Sequence, residues 1–251
     1  MNTNSNVYTV VYTTIVVVLV AAVLAFVSQK LGPMQQANEK AETISQILTA
    51  AQFGEKDHWQ EIGNAATIKF FEENIDGDNA VLSTSDLKAL NYKIKDGSIT
   101  SDELPVYLFK NGVCVIPVYG AGLWGPVWGY LAFNPDRRTL EGAYFDHDSE
   151  TPGLGGKIKD DPAFRAQFSG KTVDFNDEKP FSIVKGGAPE GKTNAIDAIT
   201  GATMTSKGLD AAIVTWLNAY EPELSIAAFI AGVAEGSATT TSNAEEETSN
   251  E

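Results

Sequence analysis

The chain has 251 residues, 43% of them hydrophobic, enough for one or two packed domains. Its 33 acidic side chains outnumber 18 basic ones, and the formal charge of −15 excludes the basic footprint of a nucleic-acid binder. One cysteine, Cys114, and two histidines rule out an intramolecular disulfide and a Cys-rich metal centre, and no metal site is expected.

No Lys, Arg, Asp or Glu precedes Lys30. Val7 to Val27 is an uncharged, mostly apolar run of 21 residues, which as a helix spans roughly 31 Å, a bilayer core. Tyr8 and Tyr12 mark one headgroup boundary. A cleaved signal peptide needs a basic start and a shorter apolar core, so the run reads as an uncleaved single-pass anchor. Lys30 and Lys40 follow it, a slight bias that would put the rest of the chain on the cytoplasmic side.

From Met34 to Phe53, Ile44, Ile47, Leu48 and Ala51 recur at helical spacing and predict a helix. Gly54 to Lys88 reads as short helices and loops. From Leu104 the pattern turns to strands, with Asn111-Gly112 as a hairpin signal between two apolar runs. Trp128–Phe133 and Thr139–Phe145 read as further strands, and Asp161–Phe168 as a short helix. Thr205 to Tyr220 is an amphipathic helix, with Leu209, Ala212, Ile213, Trp216, Leu217 and Tyr220 on one face. The end is acidic and lacks apolar periodicity, so residues 235–251 are expected to be disordered. The organisation is thus residues 1–30 with the anchor at about 7–27, a helical connector 31–54, an α+β domain 55–225 and the tail.

Several motifs resemble known sites only in outline. Gly120-Ala-Gly122-Leu-Trp-Gly125 spells a dinucleotide fingerprint, but the next residues read as a strand rather than the helix that would receive a pyrophosphate. Thr151 to Lys157 suggests a P-loop, yet it lacks the first glycine and has Ile158 in place of the Ser or Thr. As a glycine-rich turn it remains either a plain turn or a binder of anions and ring edges. Cys114 lies in an apolar strand and reads as a small core residue. His147, between two aspartates, reads as solvated.

Asp197-Ala-Ile-Thr-Gly-Ala-Thr203-Met-Thr-Ser206 is the informative segment. Thr203 stands at the entrance to a helix, with Lys207 in the first turn. Thr203, Thr205 and Ser206 all suit an N-cap, the ordinary use of such residues; a helix start with a nearby lysine also suits a phosphate, the less common case. Asp-x-x-(Ser/Thr)-Gly-Ala-Thr is the signature at which a flavin transferase attaches FMN to threonine. The chain resembles the C subunits of Na⁺-translocating NADH:quinone reductases, from the anchor to about Tyr220. The resemblance rests on this signature, the connector Pro33–Leu48, the segment ending Pro117–Trp124 and the block His147–Gly156. Thr200 stands where Ser is common, which keeps the hydroxyl. The same signature occurs in the G subunit of Rnf electron-transport complexes, the nearest alternative; a membrane-anchored assembly module without cofactor is another.

The resemblance implies a single transmembrane helix followed by a mixed α/β FMN-binding domain, with FMN carried as a phosphoester on Thr203. It implies Asp197, Thr200, Gly201, Ala202 and Lys207 around the attachment point. Gly122, Leu123, Trp124 and Leu154 are expected to wall the ring, and Thr151, Gly153, Gly155 and Glu150 to meet its polar edge. Partners are the other subunits of the complex and, during maturation, the flavin transferase. The flavin domain is then expected outside the bacterial cytoplasmic (inner) membrane, on the periplasmic side and against the lysine count.

Overall fold

The computed structural model describes the backbone of residues 6–77 and 80–247 and the side chains as far as Ser225. One helix, α1 (Asn6–Ala50), carries both the apolar run and the connector, with Pro33 inside it. The Gly32-Pro33 pair does not end the helix, although Pro33 forgoes one intrahelical bond. Its most apolar window is fully exposed, and the helix is long and apolar enough to cross a membrane. Burial begins only at Ala41, and Ile44, Ile47, Leu48 and Ala51 pack into the domain as their spacing predicts.

The domain is built on a four-stranded antiparallel sheet in sequential order: β1 (Tyr107–Leu108), β2 (Cys114–Ala121), β3 (Pro126–Phe133) and β4 (Leu140–His147). The Asn111-Gly112 turn joins β1 and β2 as predicted, with Asn111 Oδ1 accepting from Val113 N–H. Both faces of the sheet are covered, so its strands read as near-continuous apolar runs. On one face Val115, Tyr130, Ala132 and Tyr144 meet the end of α1 with α2 (Lys56–Ile62) and α3 (Asn64–Asn74). On the other, Ile116, Val118, Leu131 and Phe145 face the last helix, α7 (Thr203–Glu247), with α4 (Thr84–Asp96), α5 (Lys157–Asp160) and α6 (Pro162–Ala166) around it. The Trp216 indole donates to the Tyr119 carbonyl at 2.9 Å and ties α7 to β2. Cys114 is buried, and burial pushes its thiol up to about 11.

Two further strands, β5 (Ser182–Val184) and β6 (Ala195–Asp197), form a parallel pair outside the main sheet. They fix the chain that leads into α7: Asp210 on α7 accepts from Ile183 N–H at 2.7 Å and pairs with Lys179. The backbone of α7 is helical through Glu247, beyond the segment whose apolar periodicity foretells a helix. Alanine and glutamate there have high intrinsic helix propensity. The side chains of the acidic tail lie outside the described residues.

Candidate functional site

The site forms where three glycine-bearing segments converge: the β2–β3 hairpin, the turn after β4 and the start of α7. The hairpin tip, Gly122 to Gly125, closes with Gly122 N–H donating to the Gly125 carbonyl at 2.7 Å, and β3 follows directly. No helix begins there, as the failed dinucleotide context requires. The Thr151–Lys157 segment is a run of tight turns, in which the Thr151 carbonyl accepts from Leu154 and Gly156 N–H.

α7 starts at Thr203, immediately after Ala202, whose side chain has no acceptor. The leading N–H groups of the helix therefore have no side-chain cap, and the macrodipole favours an anion beside them. The three candidate hydroxyls are in different situations. Thr205 is buried and donates to Glu150 Oε2 at 2.6 Å. Ser206 is buried and its Oγ accepts from Ile199 N–H at 3.2 Å. Thr203 is half-buried, and its hydroxyl has no partner among the described residues. Lys207 is exposed in the same turn with no ion pair among those residues.

Around this start lie apolar side chains left in solvent. Trp124 is 67% exposed, against 2% for Trp59 and 0% for Trp216. Leu123, Leu154 and Met204 are 49%, 45% and 56% exposed. Leu154 reaches the turn before α7: its Cδ2 would lie 3.1 Å from a Cβ placed on Gly201, whose φ is +84°. Thr151, Gly153 and Gly155 N–H groups, expected at a ring edge, donate to no acceptor among the described residues.

Glu150 joins these parts and is only 4% exposed. Its Oε1 accepts from Leu123 N–H at 2.7 Å and Trp124 N–H at 2.9 Å. Burial pushes its carboxyl up, but the bonds from Thr205, Trp124 and Leu123, with His147 nearby, outweigh that and hold it below the ordinary glutamate value. Both oxygens are thus engaged inside the protein, whereas the sequence suggested a polar contact for the ring. His147 likewise differs from its solvated reading: its Nδ1 accepts from Glu150 N–H at 3.2 Å.

Of the other expected residues, Asp197 ends β6, where its Oδ1 accepts from Ala188 N–H at 2.7 Å and ties down the 186–188 turn. Thr200 is exposed, with no side-chain bond among the described residues. The roles of Thr205 and Met204 are not legible in the sequence as site features, since Thr205 reads as a cap and no pattern singles out Met204.

Unpaired backbone N–H groups, exposed apolar side chains and a bare helix start thus lie together in one glycine-rich part of an α+β domain. The family model of the FMN-binding domain matches residues 122–218, from the hairpin tip through the first turns of α7. The C subunit of the Na(+)-translocating NADH-quinone reductase from Vibrio parahaemolyticus is 33% identical over 187 residues, covering 68% of this chain and 69% of that protein. The chain belongs to the family of these C subunits. The C subunit of the Vibrio campbellii enzyme is 40% identical over 136 residues, 52% of this chain and 50% of that one. The chain spans about half the length of several of the relatives it matches. The crystal structure of the C subunit from Parabacteroides distasonis superposes with a TM-score of 0.64 at 28% identity, covering 77% of this chain and 96% of that one.

Proposed function

We propose that this chain carries FMN as a phosphoester on Thr203 and serves as an electron relay in a membrane complex that couples NADH oxidation by quinone to Na⁺ export. The observation that carries the attachment site is the free Thr203 hydroxyl beside an uncapped helix start, while Thr205 and Ser206 are buried and bonded. The residues present fit the cofactor. The first N–H groups of α7 and Lys207 receive the phosphate, Leu123, Trp124, Leu154 and Met204 cover the ring, and the free N–H groups of Thr151, Gly153 and Gly155 face its carbonyls. Bound FMN supplies the electron-accepting ring; the protein supplies position, local charge and exclusion of water.

In this reading α1 holds the domain at the cytoplasmic (inner) membrane, with the flavin domain on its periplasmic side. One membrane helix builds no ion pathway, so Na⁺ transport belongs to the assembled subunits. A flavin transferase installs the cofactor, and Asp197 serves the recognition segment. Fluorescence of the protein band after denaturing electrophoresis tests the reading. A fluorescent band from cells that express the transferase is expected, and a dark one contradicts it.

A further inference from the structure

We infer that Glu150 is the positioning residue of the flavin site: it fixes the Leu123–Trp124 wall against the first turn of α7 without touching the ring. The inference rests on the FMN reading above and deepens it.

Three observations support it. First, a single carboxylate reaches two elements that the sequence separates widely, the hairpin tip through Leu123 and Trp124 N–H and α7 through the Thr205 hydroxyl. Second, the space around it is closed. A Cβ on Gly122 would collide with Oε1, and one on Gly155 would collide with Oε2 and lie 2.6 Å from Thr205 Oγ1. The two glycine loops are therefore shaped around the carboxylate, and with Glu150 only 4% exposed both of its oxygens are taken up by Leu123, Trp124 and Thr205. Third, Glu150 is itself held from behind, because its N–H donates to His147 Nδ1 and the neighbouring Asp146 is fixed by Gln46 of α1 and by Lys159. Trp124 is 67% exposed, so its orientation comes from its backbone rather than from packing. Glu150 holds that backbone at the helix that bears Thr203.

The test uses the full-length protein in detergent, with and without the coexpressed transferase. In the flavin-free protein, Glu150→Ala should speed hydrogen exchange of the Leu123 and Trp124 amides by about tenfold or more, because their acceptor is gone. Glu150→Gln keeps an acceptor oxygen and should restore protection. In the loaded protein, Glu150→Ala should still gain one FMN on Thr203 but lose most of the visible circular dichroism that a fixed ring acquires, and Glu150→Gln should retain it. Unchanged exchange and dichroism in Glu150→Ala would overturn the inference. If Glu150→Ala does not fold, the wild type and Thr205→Val decide. Amides protected in the wild type and loosened in Thr205→Val support the inference; amides unprotected in the wild type, or equally protected in both, overturn it. The exchange measurement needs no flavin. A chain that never gains FMN would therefore sink the functional reading alone, and a normally loaded chain with unprotected amides would sink only this one.

Discussion

Replacing Gly208 by alanine tests whether α7 must lie directly on the hairpin for the site to exist. Gly208 is in the second turn of α7, where alanine ordinarily stabilises a helix by about 1 kcal/mol relative to glycine. Here the added Cβ would collide with the Ala121 carbonyl oxygen and lie 3.1 Å from the Ala121 carbonyl carbon and 3.3 Å from Gly122 Cα. These are backbone atoms of β2 and the hairpin tip and have no rotamer to change. Comfortable carbon contacts lie at about 3.5–4.0 Å, so the helix must move off the strand by on the order of an ångström. Overpacking of this kind costs about 1–3 kcal/mol, the upper end where backbone must move, so the net loss after the helix gain is about 1–2 kcal/mol. For a domain of this size that lowers the thermal midpoint by roughly 2–8 °C. The assay is thermal unfolding of the full-length protein in detergent, followed by the fluorescence of buried Trp216 and Trp59. A midpoint equal to or above wild type would show that α7 does not sit where the Gly208–Ala121 approach requires.

Two further outcomes follow from the same structure. The protein should remain in the membrane fraction after carbonate extraction, while the chain from residue 30 onward should be soluble; recovery of the full-length protein in the soluble fraction would refute the anchor. The Glu150 carboxyl is held below its ordinary value, so its stabilising effect is complete above the unfolded glutamate pKa of about 4.3 and is lost as pH falls through the folded value. The thermal midpoint of the wild type should therefore fall more steeply than that of Glu150→Gln as pH drops below about 5, and parallel curves would contradict the assignment.

The elements with strong periodicity were legible in the sequence. Ile44, Ile47 and Leu48 announced the buried end of α1, and Leu209 to Tyr220 the face of α7, because burial imposes a helical period on both. Asn111-Gly112 marked its hairpin because the turn needs a positive φ, +87° at Gly112. Strands β5 and β6 were not legible, since three residues each carry no measurable alternation. The anchor and connector read as separate pieces across Gly32-Pro33 but form one helix, which residues 29 to 40 continue through solvent with almost no buried surface.

Within the site, Thr203 was legible only through its motif; local chemistry left Thr205 and Ser206 as equal candidates. The structure separates them by what each hydroxyl already bonds, a tertiary fact that no local pattern carries. Glu150 shows the same limit. Its residue type suggested a ligand contact, while its partners Leu123, Trp124 and Thr205 come from segments 26 to 55 positions away.

The most direct test of the central claim is the intact mass of Thr203→Val beside wild type, each coexpressed with the flavin transferase. Valine keeps the size and branching of threonine and removes the hydroxyl, and Thr203 makes no side-chain hydrogen bond among the described residues whose loss would unfold the helix start. Wild type should gain the mass of one FMN less one water, and Thr203→Val should fold and gain nothing. A Thr203→Val protein that still carries one FMN would contradict the account.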